Sequence, residues 1–107
     1  MTPLPSRLRD AARRDVTDAL DYYVGRGAES TAYALVAALE EAYATIAEHP
    51  GIGSRRHGET LGIDGLRTWP VPGLPFLVCY VERHDEIDVW RVLHMRRDVP
   101  AALEEHV

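Results

Sequence analysis

The chain has no lysine, asparagine or glutamine, so all 12 of its basic residues are arginine. Such avoidance beside abundant alanine, glycine and arginine is the mark of a GC-rich bacterial genome, and part of the arginine content is therefore compositional. A single cysteine, Cys79, excludes a disulfide framework; a lone thiol inside an apolar run reads as a small core residue in a reducing compartment. No apolar stretch approaches the ~20 residues of a membrane span. The opening Met1-Thr-Pro-Leu-Pro-Ser-Arg7 lacks the charged start and apolar stretch of a secretory signal. A cytoplasmic location without a membrane partner is the expectation. An excess of positive charge is missing too: the formal net charge is -5. A domain that grips nucleic acid through its phosphates carries the opposite balance, so no direct stable nucleic-acid binding is expected. His49, His57, His84, His94 and His106 never fall at the i, i+4 spacing of a helical zinc site, and no metal or cofactor is expected. Gly51-x-Gly53 follows a helical pattern, whereas a phosphate loop precedes one.

What is present suits a folded chain. At 107 residues, 46% hydrophobic and 27% charged, the sequence is long enough for one core, and a single domain over 1–107 is expected. Leu4 to Leu8, interrupted by Pro5, reads as a brief edge strand or lead-in. Ala12, Val16, Leu20, Tyr23 and Val24 recur at helical spacing and predict a helix from about Asp10 to Val24, ended by Gly25 and Gly27. Ala32, Leu35, Val36, Leu39, Tyr43 and Ile46 predict a second from about Glu29 to Glu48, stopped by His49-Pro50-Gly51. So short a connection folds the two into an antiparallel hairpin. Residues 52–65, with four glycines and Arg55-Arg56-His57, read as a mobile loop. Strands follow at about Leu66–Val71, Leu74–Glu82 and Ile87–His94. The middle one is apolar on both faces, with Phe76, Val78 and Tyr80 opposite Leu77, Cys79 and Val81, and should be central. In the last, Ile87, Val89, Arg91 and Leu93 alternate with Asp88, Trp90, Val92 and His94; whether Tyr80 faces Arg91 or Trp90 is open at this level. Asp98 reads as the N-cap of a short terminal helix. The fold class is thus α+β: a short N-terminal strand, a helix hairpin packed on a small antiparallel sheet, and a short C-terminal helix.

Four strings in this order, Ala12-x-x-Asp15-Val16, His49-Pro50-Gly51-Ile52-Gly53, Gly65-Leu66-Arg67 with Val78-x-Tyr80, and Arg91-Val92-Leu93-His94-x-Arg96-Arg97-Asp98, resemble the ParE branch of the RelE/ParE superfamily of bacterial toxins. The resemblance runs from about Leu8 to Leu103, and the last string is its strongest part. It implies the toxin of a type II toxin-antitoxin pair, neutralised by a cognate antitoxin, a short DNA-binding protein with an amphipathic C-terminal segment. It also implies DNA gyrase as the target and no enzymatic activity. RelE-type relatives on the same fold cut messenger RNA in the ribosome, and an inactive relative that only assembles an antitoxin complex is a third possibility.

The residues bear on these alternatives in different ways. RNA cleavage needs a proton acceptor, a cation at the phosphate and an acid, and Arg67, Arg91 and His94 are the candidates. The acidic balance and the lack of a tyrosine after Tyr80 stand against it. A gyrase inhibitor needs only a shaped surface, for which Arg67, Trp90, Arg91, His94, Arg96 and Arg97 are the candidates. The competing structural expectation puts Trp90 in the core, Trp69 over the helix hairpin, and Arg96 and Arg97 in pairs with Glu104 or Glu105. Antitoxin contacts are expected at Arg13, Arg14, Tyr22, Tyr33, Tyr43 and Tyr80, in a groove between hairpin and sheet. Those tyrosines serve equally well as caps on the core.

Overall fold

The computed structural model of the chain describes residues 2–106. Eight elements follow in order: β1 (Ser6–Leu8), α1 (Asp10–Gly25), α2 (Glu29–Glu48), α3 (Arg56–Leu61), β2 (Leu66–Pro70), β3 (Phe76–Glu82), β4 (Ile87–His94) and α4 (Val99–Glu104). The strands form one sheet in the order β1-β4-β3-β2. β2, β3 and β4 are antiparallel, and β1 joins β4 in parallel, so the sheet is mixed where three antiparallel strands were expected.

The helix hairpin follows from its sequence. One stripe of α1 and α2 is apolar, and the chain reverses through Gly27, whose φ of 72° lies in the left-handed region that glycine tolerates best. Ala12, Leu35, Leu39, Ala42 and Ile46 from the hairpin meet Phe76, Val78, Tyr80, Ile87, Val89 and Val92 from the sheet. The face of β3 that holds Leu77, Cys79 and Val81 is covered as well. Leu61, Ile63, Val99, Ala102 and Leu103, in or beside α3 and α4, pack there with Leu66, Trp90 and Leu93. The sheet therefore lies between two helical layers, which explains why β3 is apolar on both sides.

The segment expected to be a mobile loop is ordered differently. Within it α3 docks so closely on β2 that a Cβ on Gly58 would come within 2.5 Å of the Leu66 carbonyl oxygen. Only glycine permits that approach. The terminal helix is as expected: the Asp98 carboxylate accepts a hydrogen bond from the Ala101 amide at 3.1 Å.

A bulge settles the register of the last hairpin. Cys79 faces Arg91 and Tyr80 faces Val89, so Trp90 has no partner on β3 and is the extra residue. The strict alternation expected along β4 breaks there. Ile87, Val89 and Val92 face the helix hairpin, whereas Trp90 and Leu93 face α4. Among the described residues, no helix is long and apolar enough to cross a membrane.

Candidate functional site

β1 pairs with β4 only over Ile87–Val89, although β4 continues to His94. Past that point α1 takes over the neighbourhood of the strand, and the space between them opens as a groove of about 400 Å³. Asp15, Asp18, Ala19, Tyr22 and Tyr23 of α1 form one wall. Phe76, Val92, Leu93 and His94 form the other, and Arg96 and Arg97 stand at its end, in the turn after β4.

Of these, Asp15 is held in an ion pair beneath the groove's lining. Arg91 donates from Nε and Nη2 to the two carboxylate oxygens of Asp15 at 2.7 and 2.8 Å, and from Nη1 to Glu105 at 3.3 Å. The Asp15 carboxylate also accepts from the Val92 amide at 3.0 Å. Asp15 lies on α1 and Glu105 just beyond α4, so one guanidinium ties the two helical layers together across the sheet edge. The bonds to Asp15 raise the Arg91 pKa further above its ordinary value, against the opposing effect of burial.

A second cluster lies beside β1. Asp88 accepts from Arg9 at 3.1 and 3.0 Å, from Arg83 at 3.3 and 3.1 Å and from Trp90 Nε1 at 3.0 Å. Burial pushes the Asp88 carboxyl pKa up, but the bonds from Arg9, Trp90 and Arg83 outweigh it and leave the net value below normal. The Arg9 guanidinium lies 4.2 Å from the Trp90 ring centroid, a cation-π contact. A third arrangement fixes the loop after α2. Tyr80 donates its hydroxyl proton to the Pro50 carbonyl at 2.8 Å and accepts from the Gly53 amide at 3.0 Å. Arg67 donates from Nη1 to the carbonyls of Gly51 and Gly53 at 3.1 and 3.0 Å.

These placements correct several expectations. Arg91 and Trp90, candidates for a docking surface, are only 6% and 7% exposed and are engaged as just described, Trp90 lying in the core as the competing expectation has it. Tyr80, expected to touch a partner, is fully buried. Arg67 is half-buried and holds a loop. Arg67, Arg91 and His94 do not converge: the first two guanidiniums have separate partners, and His94 packs edge-on against Phe76 with centroids 5.2 Å apart. Its Nδ1 accepts the Arg96 amide at 3.0 Å, which fixes the ring beside the groove with Nε2 as the remaining proton donor in the neutral form.

The partner-contact residues are dispersed as well. Tyr22 lines the groove at 59% exposure, with Arg26 above its ring. Tyr33, at 78% exposure, belongs to a separate apolar patch with Leu20, Val24 and Val36 on the outside of the hairpin. Tyr43 is half-buried against the core, and burial pushes its hydroxyl up to about 12. Arg13 and Arg14 are exposed on α1, and Arg13 reaches back to the Leu8 carbonyl at 3.4 Å. Trp69 packs on the hairpin-side core.

Arg96 and Arg97 are exposed and, among the described residues, have no salt bridge. Glu105, one of their expected partners, is used by Arg91 instead. The residue that sequence reasoning missed is Asp15. Its signal was available: an acid three positions after buried Ala12 on the apolar side of a helix requires a cation, and β4 supplies one in Arg91.

Three comparisons bear on this arrangement. A family model described as the ParE toxin of the type II toxin-antitoxin system parDE matches residues 7–99, a span that contains every groove residue named above. No curated protein matches the sequence. Among solved structures, one described as the chromosomal ParDE TA system from P. aeruginosa matches with a TM-score of 0.69 at 19% identity. The match covers 85% of this chain and 95% of that one, and at such identity it is a likeness of fold.

Proposed function

Because the chain belongs to the ParE toxin family of type II toxin-antitoxin systems, we propose that it binds DNA gyrase and arrests it without making or breaking a bond, and that an antitoxin neutralises it by occupying the groove between α1 and β4. The observation that carries this reading is the Arg96-Arg97 turn: two exposed cations, free of acidic partners among the described residues, at the end of a groove walled by Tyr22 and Phe76. Arginine beside aromatic surface suits a protein partner, since it pairs bidentately with carboxylates and stacks on rings.

The ribonuclease alternative draws less support. Its three candidate residues are held apart, and the two arginines are bonded to loop carbonyls and to Asp15 and Glu105. The overall balance of -5 also weakens docking on RNA.

Induced expression in a bacterial host separates the readings. Gyrase arrest triggers DNA-damage signalling while messenger RNA stays intact, and Arg96→Glu with Arg97→Glu abolishes both toxicity and the damage signal. Transcripts truncated within translated codons, with no damage response, would instead establish the ribonuclease. A quiet response to both, from folded protein, would leave the chain as an inactive relative.

A further inference from the structure

The connection from α2 to α3 is held more firmly than a surface loop needs. Tyr80, fully buried in β3, donates to the Pro50 carbonyl at 2.8 Å and accepts from the Gly53 amide at 3.0 Å. Arg67 of β2 donates to the Gly51 and Gly53 carbonyls at 3.1 and 3.0 Å. The Ile52 amide donates to the His49 carbonyl at 2.9 Å, and Ser54 exchanges both backbone bonds with Thr68. These bonds fix the backbone on both sides of Ile52, whose own side chain stays 39% exposed. A lone exposed isoleucine is ordinary on a protein surface. Committing a buried hydroxyl and a guanidinium to the backbone beneath it is not, and the loop presents its apolar group in one shape, with little freedom left to lose on binding.

Charge selects the surface that fits this loop. Residues 49–58 hold Arg55 and Arg56 and no acid, in a chain whose net charge is -5. Arg55 pairs with Glu59 at 3.4 Å, an exposed contact of little strength, whereas Arg56 has no salt bridge among the described residues. A second copy of the chain is a poor occupant, because a two-fold contact centred on the loop sets these arginines against their own equivalents. An acidic surface with an apolar recess is complementary. We propose that the clamped loop is a second contact with gyrase, in which the Ile52 side chain enters an apolar recess of the target and Arg56 pairs with a carboxylate at its rim. This rests on the reading that gyrase is the target, and it adds a site that shares no residue with the groove. Ser54, paired outside β2, lies three strand spacings, about 14 Å, across the sheet from β4, so one protein surface can reach both the loop and the Arg96-Arg97 turn.

Gyrase supercoiling with the purified wild type, Ile52→Ser and Arg56→Glu tests the inference. The urea midpoint of each protein and its affinity for the purified product of the short reading frame adjoining its own are measured on the same preparations. Each variant should need about 10-fold more protein for half inhibition, the scale of one interface anchor lost, while binding that product as the wild type does. Arg56→Glu changes a fully solvated side chain and so keeps the test valid even if Ile52→Ser lowers the midpoint. If the wild type inhibits gyrase and both variants inhibit it equally well, the inference is wrong and the gyrase reading stands. If the variants weaken binding of the neighbouring product, or if the wild type sediments as a dimer that they dissociate, the loop serves a different occupant and the inference is again wrong. If the wild type leaves supercoiling untouched, the gyrase reading fails and takes the inference with it.

Discussion

The Asp15 carboxylate accepts three hydrogen bonds, two from Arg91 and one from the Val92 amide, in a part-buried position. Removing one partner from such a pair leaves an uncompensated charge as well as an orphaned strand donor. Asp15→Ala should therefore lower unfolding stability by about 3 kcal/mol, read from the urea midpoint at constant m-value. Arg96→Ala and Arg97→Ala, at exposed cations without salt-bridge partners among the described residues, should stay within about 0.5 kcal/mol of the wild type. The contrast separates arginines that hold the fold from arginines free to meet a partner. Composition alone does not draw that line, because all 12 basic residues are the same type. The Tyr80 hydroxyl allows a similar test. It bonds both Pro50 and Gly53, so Tyr80→Phe should cost about 1 to 2 kcal/mol by leaving those backbone groups unpaired. Gly53→Ala should be the more damaging of the two, since its Cβ would sit 2.7 Å from the Tyr80 oxygen and 2.9 Å from the Arg67 Cβ.

At the scale of elements, C-terminal packing gives the next prediction. α4 buries Val99, Ala102 and Leu103 on the sheet face that holds Cys79 and Trp90. Leu103→Ala should cost about 3 kcal/mol, against about 1 kcal/mol for Asp98→Ala, which loses only a cap; thermal melts of the two variants rank them. How far the elements could be read beforehand depended on the signal each one carries. α2, with five turns of apolar spacing and a proline stop, was legible to the residue (Glu29–Glu48), and β4 likewise (Ile87–His94). α3 was not, because six residues are too few for a period, and Gly58 within it and Gly62 just after it look like a loop. The bulge at Trp90 was hidden for another reason: it is fixed by pairing with β3 and has no local mark in β4. Pairing draws Arg91 inside, away from the docking surface expected of it, and puts Trp90 in the core, the competing expectation for that residue. In the groove, the Arg96-Arg97 end and Tyr22 are legible in the sequence, and so is the need of Asp15 for a cation, whereas the identity of that cation as Arg91 depends on α1 lying along the β4 edge.

For the whole molecule, pH dependence and target engagement remain. The Asp88 pKa lies below its ordinary 3.8 in the folded state. A depressed carboxyl contributes stability that is fully present above the unfolded value and is lost as pH falls through the folded one. Asp88→Asn should accordingly be less stable than the wild type at neutral pH, and the difference should shrink as pH falls below about 4, where the carboxylate of the unfolded chain takes up its proton while the native one still holds its charge. Chemical unfolding at a series of pH values checks the sign. The central claim is that the Arg96-Arg97 end of the groove docks on a macromolecule and performs no chemistry there. The measurement that tests it most directly is gyrase supercoiling with the purified protein, run beside a reconstituted translation reaction. The account predicts that supercoiling is lost with wild-type protein, is kept with Arg96→Glu and Arg97→Glu and returns when the antitoxin is added, while the messenger RNA stays whole. Undisturbed supercoiling together with cleaved messenger RNA on the ribosome would contradict it.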